Sequence, residues 1–291
     1  MRSGNAALLS RPKVRDLLAV LRSMPLPARI GLAIFAVHVL ITIAAPLLAP
    51  APPNDLVGEN LQEPSLAHWL GTDQLGRDVL SRIIYGGRAA LGVALPAAAL
   101  GVFAGAVVGT IAALKRGIVD AVVGRLVDTF LAVPAILILL IVVAGMGSGT
   151  VPLVLSIAAI YGVPSLRVTR AAAMPLVNQD FVLAARARGE SSLSIAVREL
   201  APNLRDVVLV ELAVRASAAT VLMASLSFLG LGVAPPTADW GRMISENASN
   251  LSVAWWATLA PLAALSSLVI GFSLAADGLS KALGVGRNEA T

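Results

Sequence analysis

Residues Ala89–Leu114 read AALGVALPAAALGVFAGAVVGTIAAL and hold no ionisable side chain. About 20 apolar residues suffice for a helix to cross the hydrocarbon core of a bilayer, so this stretch alone predicts a membrane-spanning helix. Gly101, Gly105 and Gly109 stand four apart within it and share one helix face. A glycine face lets a second helix come close, and in lipid such packing replaces the hydrophobic drive.

Five more apolar stretches flank it: Ile30–Ala49, about Leu126–Gly145, Val151–Val163, Val207–Leu231 and about Ala254–Leu274. The fourth in chain order, Val151–Val163, is short, and runs of about 10–14 residues are often buried or re-entrant instead of spanning. Charge placement decides it. With the N-terminus inside and all six stretches crossing, seventeen of the 22 Lys and Arg residues fall inside. Six lie in residues 1–29, three in 115–125, six in 167–205 and two in 281–287, whereas only Arg77, Arg82, Arg88 and Arg242 fall outside. The positive-inside rule selects this orientation. Without a fourth crossing, the six arginines of 167–205 would move outside. The expected fold is an all-α integral membrane protein with six transmembrane helices and both termini cytoplasmic.

Composition agrees. The 291 residues are 57% hydrophobic and 13% charged, half the about 25% charge of a soluble domain, and the mean hydropathy is +0.83. The chain has no cysteine, which excludes disulfides, thiolate metal sites and a Cys nucleophile. Its three lysines, Lys13, Lys115 and Lys281, do not sit in a Gly-x-x-x-x-Gly-Lys-Ser/Thr loop, so the chain carries no P-loop. His38 and His68 are the only histidines. A net charge of +5 would suggest nucleic acid in a soluble protein; here the charge sorts to one membrane face, and no nucleic-acid partner is expected.

Residues 1–28 form a basic segment in which Val14, Leu17, Leu18 and Leu21 recur at helical spacing. It reads either as an amphipathic helix on the inner surface or as an orienting tail. The segment 29–88 holds the first span, an acidic, proline-rich outside loop over 50–75, and an interfacial helix after Gly76 that feeds the second span. The four tryptophans, Trp69, Trp240, Trp255 and Trp256, fall in or beside outside segments, where interfacial anchors belong. Glu211 and Arg215, four apart on one helix, are placed to pair. No chain of intramembrane carboxylates and no inverted repeat is visible, which leaves ion-coupled secondary transport unsupported.

The core is read as 89–284, with a tail over 285–291. The longest inside connection, 164–206, carries DFVLAARARGESSLSIAVRELAPN over residues 180–203. A short helix with small Ala184 and Ala185 ends at Gly189, where the chain turns, and a second helical run follows that Pro202 is expected to stop. Unstructured connections beyond about 12–15 residues are uncommon without a role, and a short helix on a sharp turn suits docking to a soluble partner.

This loop resembles the Glu-Ala-Ala-x-x-x-Gly…Leu-Pro motif of ABC importer permeases. Three further stretches resemble the C-type permease subunit of the dipeptide/oligopeptide (peptide/nickel) ABC importer family. They are Leu70–Arg82 (LGTDQLGRDVLSR) with Gly86-Gly-Arg88, Arg125–Asp128 with Pro134, and Leu226–Pro236 (LSFLGLGVAPP) with Trp240-Gly241. The resemblance runs from about residue 29 to 284. It implies the type I importer permease fold, a second homologous permease subunit, one or two P-loop ATPase subunits, and an extracytoplasmic peptide-binding protein. It also implies that this chain is not an enzyme and binds no cofactor, ATP and Mg residing on the ATPases, and that it sits in the bacterial cytoplasmic membrane. On the motif, Ala184, Ala185, Arg186, Gly189, Pro202 and Asn203 match the ATPase-coupling loop. The motif glutamate is Leu183 here, and Glu190 is the candidate to replace its contact. Asp73, Arg77, Asp78, Arg82, Pro235, Pro236 and Trp240 are then expected in outside loops facing the binding protein. The cargo stays open between peptides and nickel or another chelate.

Overall fold

The computed structural model describes residues 24–147 and 149–285. The basic stretch through residue 23, where the N-terminal helix was in question, and the tail from residue 286 lie outside the described residues. The described residues build α1 (Leu26–Ile43), α2 (Ala45–Leu48), α3 (Val79–Lys115), α4 (Gly117–Leu131), α5 (Ala135–Met146), α6 (Thr150–Leu176), α7 (Asp180–Ala187), α8 (Ser192–Ile195), α9 (Ala201–Phe228), α10 (Trp240–Asn247) and α11 (Trp255–Leu283). Five helical stretches are long and apolar enough to cross a membrane, and the α4–α5 pair makes a sixth if its two halves form one span. The protein is a multi-pass membrane protein.

The apolar runs mark where helices lie and understate how far they reach. The interfacial helix expected after Gly76 and the second span are one helix, α3, because nothing between Val79 and Leu91 breaks it. Its start is fixed by Asp78, whose carboxylate accepts from the Ser81 amide at 2.7 Å, an N-cap that satisfies an otherwise unpaired donor. The first span begins at Leu26 and gives way at Ala44 to α2, and the sixth runs on to Leu283. The fourth, thirteen residues by hydropathy, continues through Pro164 to Leu176. Its second half carries Arg167 and Arg170 and so escapes a search for unbroken apolar sequence. The connection over 164–206 is correspondingly mostly helical.

Two prolines produce the opposite corrections. The third stretch is not one helix: α4 and α5 meet at 85°, with Pro134 as the cap of α5, since proline disfavours helical geometry in the residue before it. Pro202 does not stop its helix. It lies at the head of α9, and the turn directly before it, Ala196–Leu200, is a π-turn. Helix runs unbroken from Ser192 to Phe228, the wider turn absorbing a ring that would clash with the carbonyl four residues back.

The most extensive contact is between α3 and α6, which run parallel; α1 and α9 pack on α11, and α9 also packs on α3. A Cβ at Gly101, Gly105 or Gly109 would lie 2.5, 2.4 or 2.5 Å from the carbonyl oxygens of Ala158, Gly162 and Leu166. The two backbones therefore touch, and only glycine allows it. His38 on α1 sits within hydrogen-bonding distance of the Ile34 and Ala264 carbonyls, at 3.0 and 3.3 Å, and is a packing residue.

Candidate functional site

At the end of the bundle where α3 and α6 finish, α7 lies across them. Its inner face buries Val182 and Ala185 completely, in a cluster with Ala113, Leu114, Ala173, Val177, Ile195 and Leu200. Two arginines tie it down. The Arg186 Nη2 donates to the Leu114 carbonyl at 3.2 Å, an unpaired acceptor in the last turn of α3, and Arg116 Nη2 donates to Asn178 Oδ1 at 2.8 Å. α7 is thus in contact with the ends of both helices of the glycine contact.

The helix stops in a complete Schellman motif. The Gly189 amide donates to the Arg186 carbonyl at 2.9 Å and the Glu190 amide to the Ala185 carbonyl at 3.1 Å, with Gly189 at φ +77°. This left-handed geometry is cheap only for glycine. Beyond the turn, Glu190 accepts from Arg188 Nη2 at 2.7 Å and from Ser194 Oγ at 2.9 Å. Those bonds, the Arg188 one foremost, hold its carboxyl below the usual carboxylate range. Glu190 is therefore a clasp within the turn, committed to its neighbours, and the proposed replacement for the motif glutamate is corrected: that position presents Leu183, 49% exposed. Ala184 and Ala187 are exposed beside it, and so are Pro202 and Asn203 on the next element, where Asn203 Nδ2 donates to the Glu199 carbonyl at 2.6 Å. The outward surface of α7 is small, apolar and edged by Arg186 and Arg188.

Halfway along the bundle Arg215 Nε donates to Glu211 Oε2 at 3.0 Å, and Ser165 Oγ on α6 donates to the same oxygen at 2.8 Å. The pair is internally compensated and pins α9 to α6. Ser165 is a partner that reading α9 alone could not reveal.

Residues 101–285 match the family described as the binding-protein-dependent transport system inner membrane component. The chain belongs to that family. It is 35% identical over 256 residues, 88% of this chain and 86% of the relative, to a putative peptide transport system permease protein of Brucella suis. Over 258 residues it is 34% identical to a dipeptide transport system permease protein of Alkalihalophilus pseudofirmus, covering 88% and 84% of the two chains. A glutathione transport system permease protein of Escherichia coli is 36% identical over 225 residues, 76% and 73% of the two.

At the permease's other end, the Leu70–Arg82 motif folds inward. Asp73, Arg77, Asp78 and Arg82 are nearly inaccessible, and so is Trp240, so they are not a surface offered to another protein; of the loop residues named above, Pro235 and Pro236 are exposed. Arg77 Nε donates to Asp73 Oδ2 at 2.7 Å and its Nη2 to Glu246 Oε2 at 2.9 Å. Arg82, 1% exposed, lies 3.5 Å from Asp73 and 3.7 Å from Glu246. The alternating signs in the motif neutralise one another across the loop and α10. The Trp240 indole donates to the Ile83 carbonyl at 2.9 Å and the Trp256 indole to the Thr72 carbonyl at 3.3 Å. These two tryptophans are structural pins in the permease, while Trp69 and Trp255 are exposed. Glu246 and Asn247, whose Oδ1 accepts from the Gln74 amide at 3.2 Å, complete the cap and had no motif of their own to announce them.

Proposed function

We propose that this permease forms one half of the translocation pore of an ATP-driven importer of dipeptides or oligopeptides in the bacterial cytoplasmic membrane. In this reading it crosses the membrane six times, with α4 and α5 as one broken crossing and both termini in the cytoplasm. Seventeen inside Lys and Arg residues support that orientation. A second, homologous permease supplies the other half of the pore, one or two P-loop ATPases dock on α7, and an external binding protein delivers cargo. The relatives named for peptide, dipeptide and glutathione transport favour peptides over nickel chelates. This chain performs no bond chemistry and binds no cofactor of its own. ATP and Mg belong to the ATPases.

The observation that carries the reading is α7 itself. Its inner face is locked to the ends of α3 and α6, and its outer face is left bare with Leu183, Ala184 and Ala187. A partner that grips this face differently in two nucleotide states shifts the balance between two arrangements of the bundle, as any coupling by differential affinity requires. The test is purification of the tagged chain in mild detergent, followed by uptake in proteoliposomes with the binding protein and labelled dialanine. ATP-dependent accumulation, insensitive to an uncoupler, is expected. A chain that comes down without ATPases, or flux driven by an ion gradient alone, would overturn the proposal.

A further inference from the structure

Resting on the importer reading above, we propose that Arg167 and Asp128 form a station on the translocation path that reads the charged ends of a passing peptide, Arg167 taking the α-carboxylate and Asp128 the α-ammonium. Both side chains are exposed and line one cleft of about 140 Å3 between α4 and α6. Beside them Arg170 grips Asp120 with two bonds from one edge of its guanidinium, Nε to Oδ1 and Nη2 to Oδ2, the latter at 2.6 Å. Among the described residues neither Arg167 nor Asp128 has a direct ion-pair contact; Asp128 feels the Arg170 charge across the cleft, which leaves Arg167 as the cation with no carboxylate of its own.

Both lie where their helices reach the cytoplasmic side, and an ionised side chain at that edge of a span faces a watered path or a partner, because lipid would make it costly. Here one cation and one anion share a single cleft, which is the charge pattern of a zwitterion. The guanidinium fork matches a carboxylate, and a carboxylate accepts from an ammonium. The cleft also has an approach. It shares Leu166 with a longer groove of about 350 Å3 between α3 and α6, whose floor includes Gly101, Gly105, Ala158 and Gly162. That floor is smooth and carries no charge, so it offers an extended chain passage without a strong hold, and the ionised pair stands at its end.

The chain lacks cysteine, which makes a single-site test clean. Arg167→Cys is assembled with its partners and reconstituted with the binding protein. Uptake of labelled dialanine is then measured before and after reaction with a cationic or an anionic methanethiosulfonate, with labelling of this chain read by mass. Loss of a charge-assisted contact is expected to lower uptake on the order of tenfold. The cationic reagent should restore it and the anionic one should not, and dialanine with ATP should slow the labelling. Arg167→Lys, which keeps the charge, should retain most of the uptake.

Three results would overturn the station. The thiol could resist both reagents, meaning that lipid or protein covers it. It could react with no change in uptake. Or Arg167→Cys and Arg167→Lys could both lose the second permease on purification, meaning that the side chain is an interface contact. Failure of the importer reading itself is distinguishable, because the unaltered complex would then take up no dialanine.

Discussion

Gly189 and Glu190 show how much of the docking site depends on single side chains. A β-branched residue at φ +77° is strained by about 1–2 kcal/mol, and the Schellman bonds that end α7 then lengthen or break. Gly189→Val is therefore expected to leave the complex assembled and hydrolysing ATP while peptide uptake drops severalfold, measured as peptide imported per ATP. Glu190 adds a dependence on pH. Its carboxyl is held below the ordinary range by Arg188 first and Ser194 second, so the clasp is present above the unfolded carboxylate value of about 4.3 and is lost as pH falls through the lower, folded value. Amide exchange over residues 189–194, corrected for intrinsic rates, should accelerate below that point in the native chain. In Glu190→Gln it should already be fast at pH 7, with no further step.

Among the helices, the α3–α6 contact and the π-turn carry separate predictions. Gly105→Leu places atoms where the Gly162 carbonyl and the Leu166 amide already lie, 2.4 and 2.8 Å from a built Cβ. Overpacking of this kind costs about 1–3 kcal/mol, and a thermal midpoint lower by several degrees is expected in the detergent-solubilised complex. Pro202→Ala acts differently. It removes the reason for the wide turn at Ala196–Leu200, and loss of one residue from that turn rotates everything before it by about 100° relative to α9. The thermal midpoint should scarcely move while uptake per ATP falls, because α8 no longer stands where it does beside α7. The same elements mark the limits of reading the chain unaided. Hydropathy marked the place of the five long apolar helices and of the broken α4–α5 pair, and the four-residue spacing marked the glycine face, because those signals are local and strong. It shortened α6 because Arg167 and Arg170 interrupt the apolar run, and they are tolerated there by pairing with Asp120 and by an open cleft. It placed a stop at Pro202 because a proline's effect depends on whether the turn before it can widen, which no window of sequence reports. The acidic and basic residues of the Leu70–Arg82 motif read as surface since their partner, Glu246, lies more than 160 residues away.

Taken as a whole, the molecule is closed at one end by that ion cluster and left bare at the other. Two arginines and two carboxylates balance there, and removing one member leaves a buried charge uncompensated, at a cost of about 3–5 kcal/mol. Arg82→Met should accordingly lower expression and thermal midpoint more than any substitution on the exposed face of α7, and adding Glu246→Gln should recover part of the loss. The length of α3 matters at this scale too. With 37 residues it is about 55 Å long, nearly twice the about 30 Å of hydrocarbon it crosses. It is fastened at both ends, to α7 through the Leu114 carbonyl and to the cap through Arg82. Pro96 lies within it, where a helix bends if it bends at all; while its two halves stay in line, a tilt of about ten degrees sweeps one end through roughly 10 Å relative to the other over that length. A stroke delivered at the docking end is therefore carried to the opposite side of the membrane as tilt, and the stiff cap serves as the fulcrum it works against.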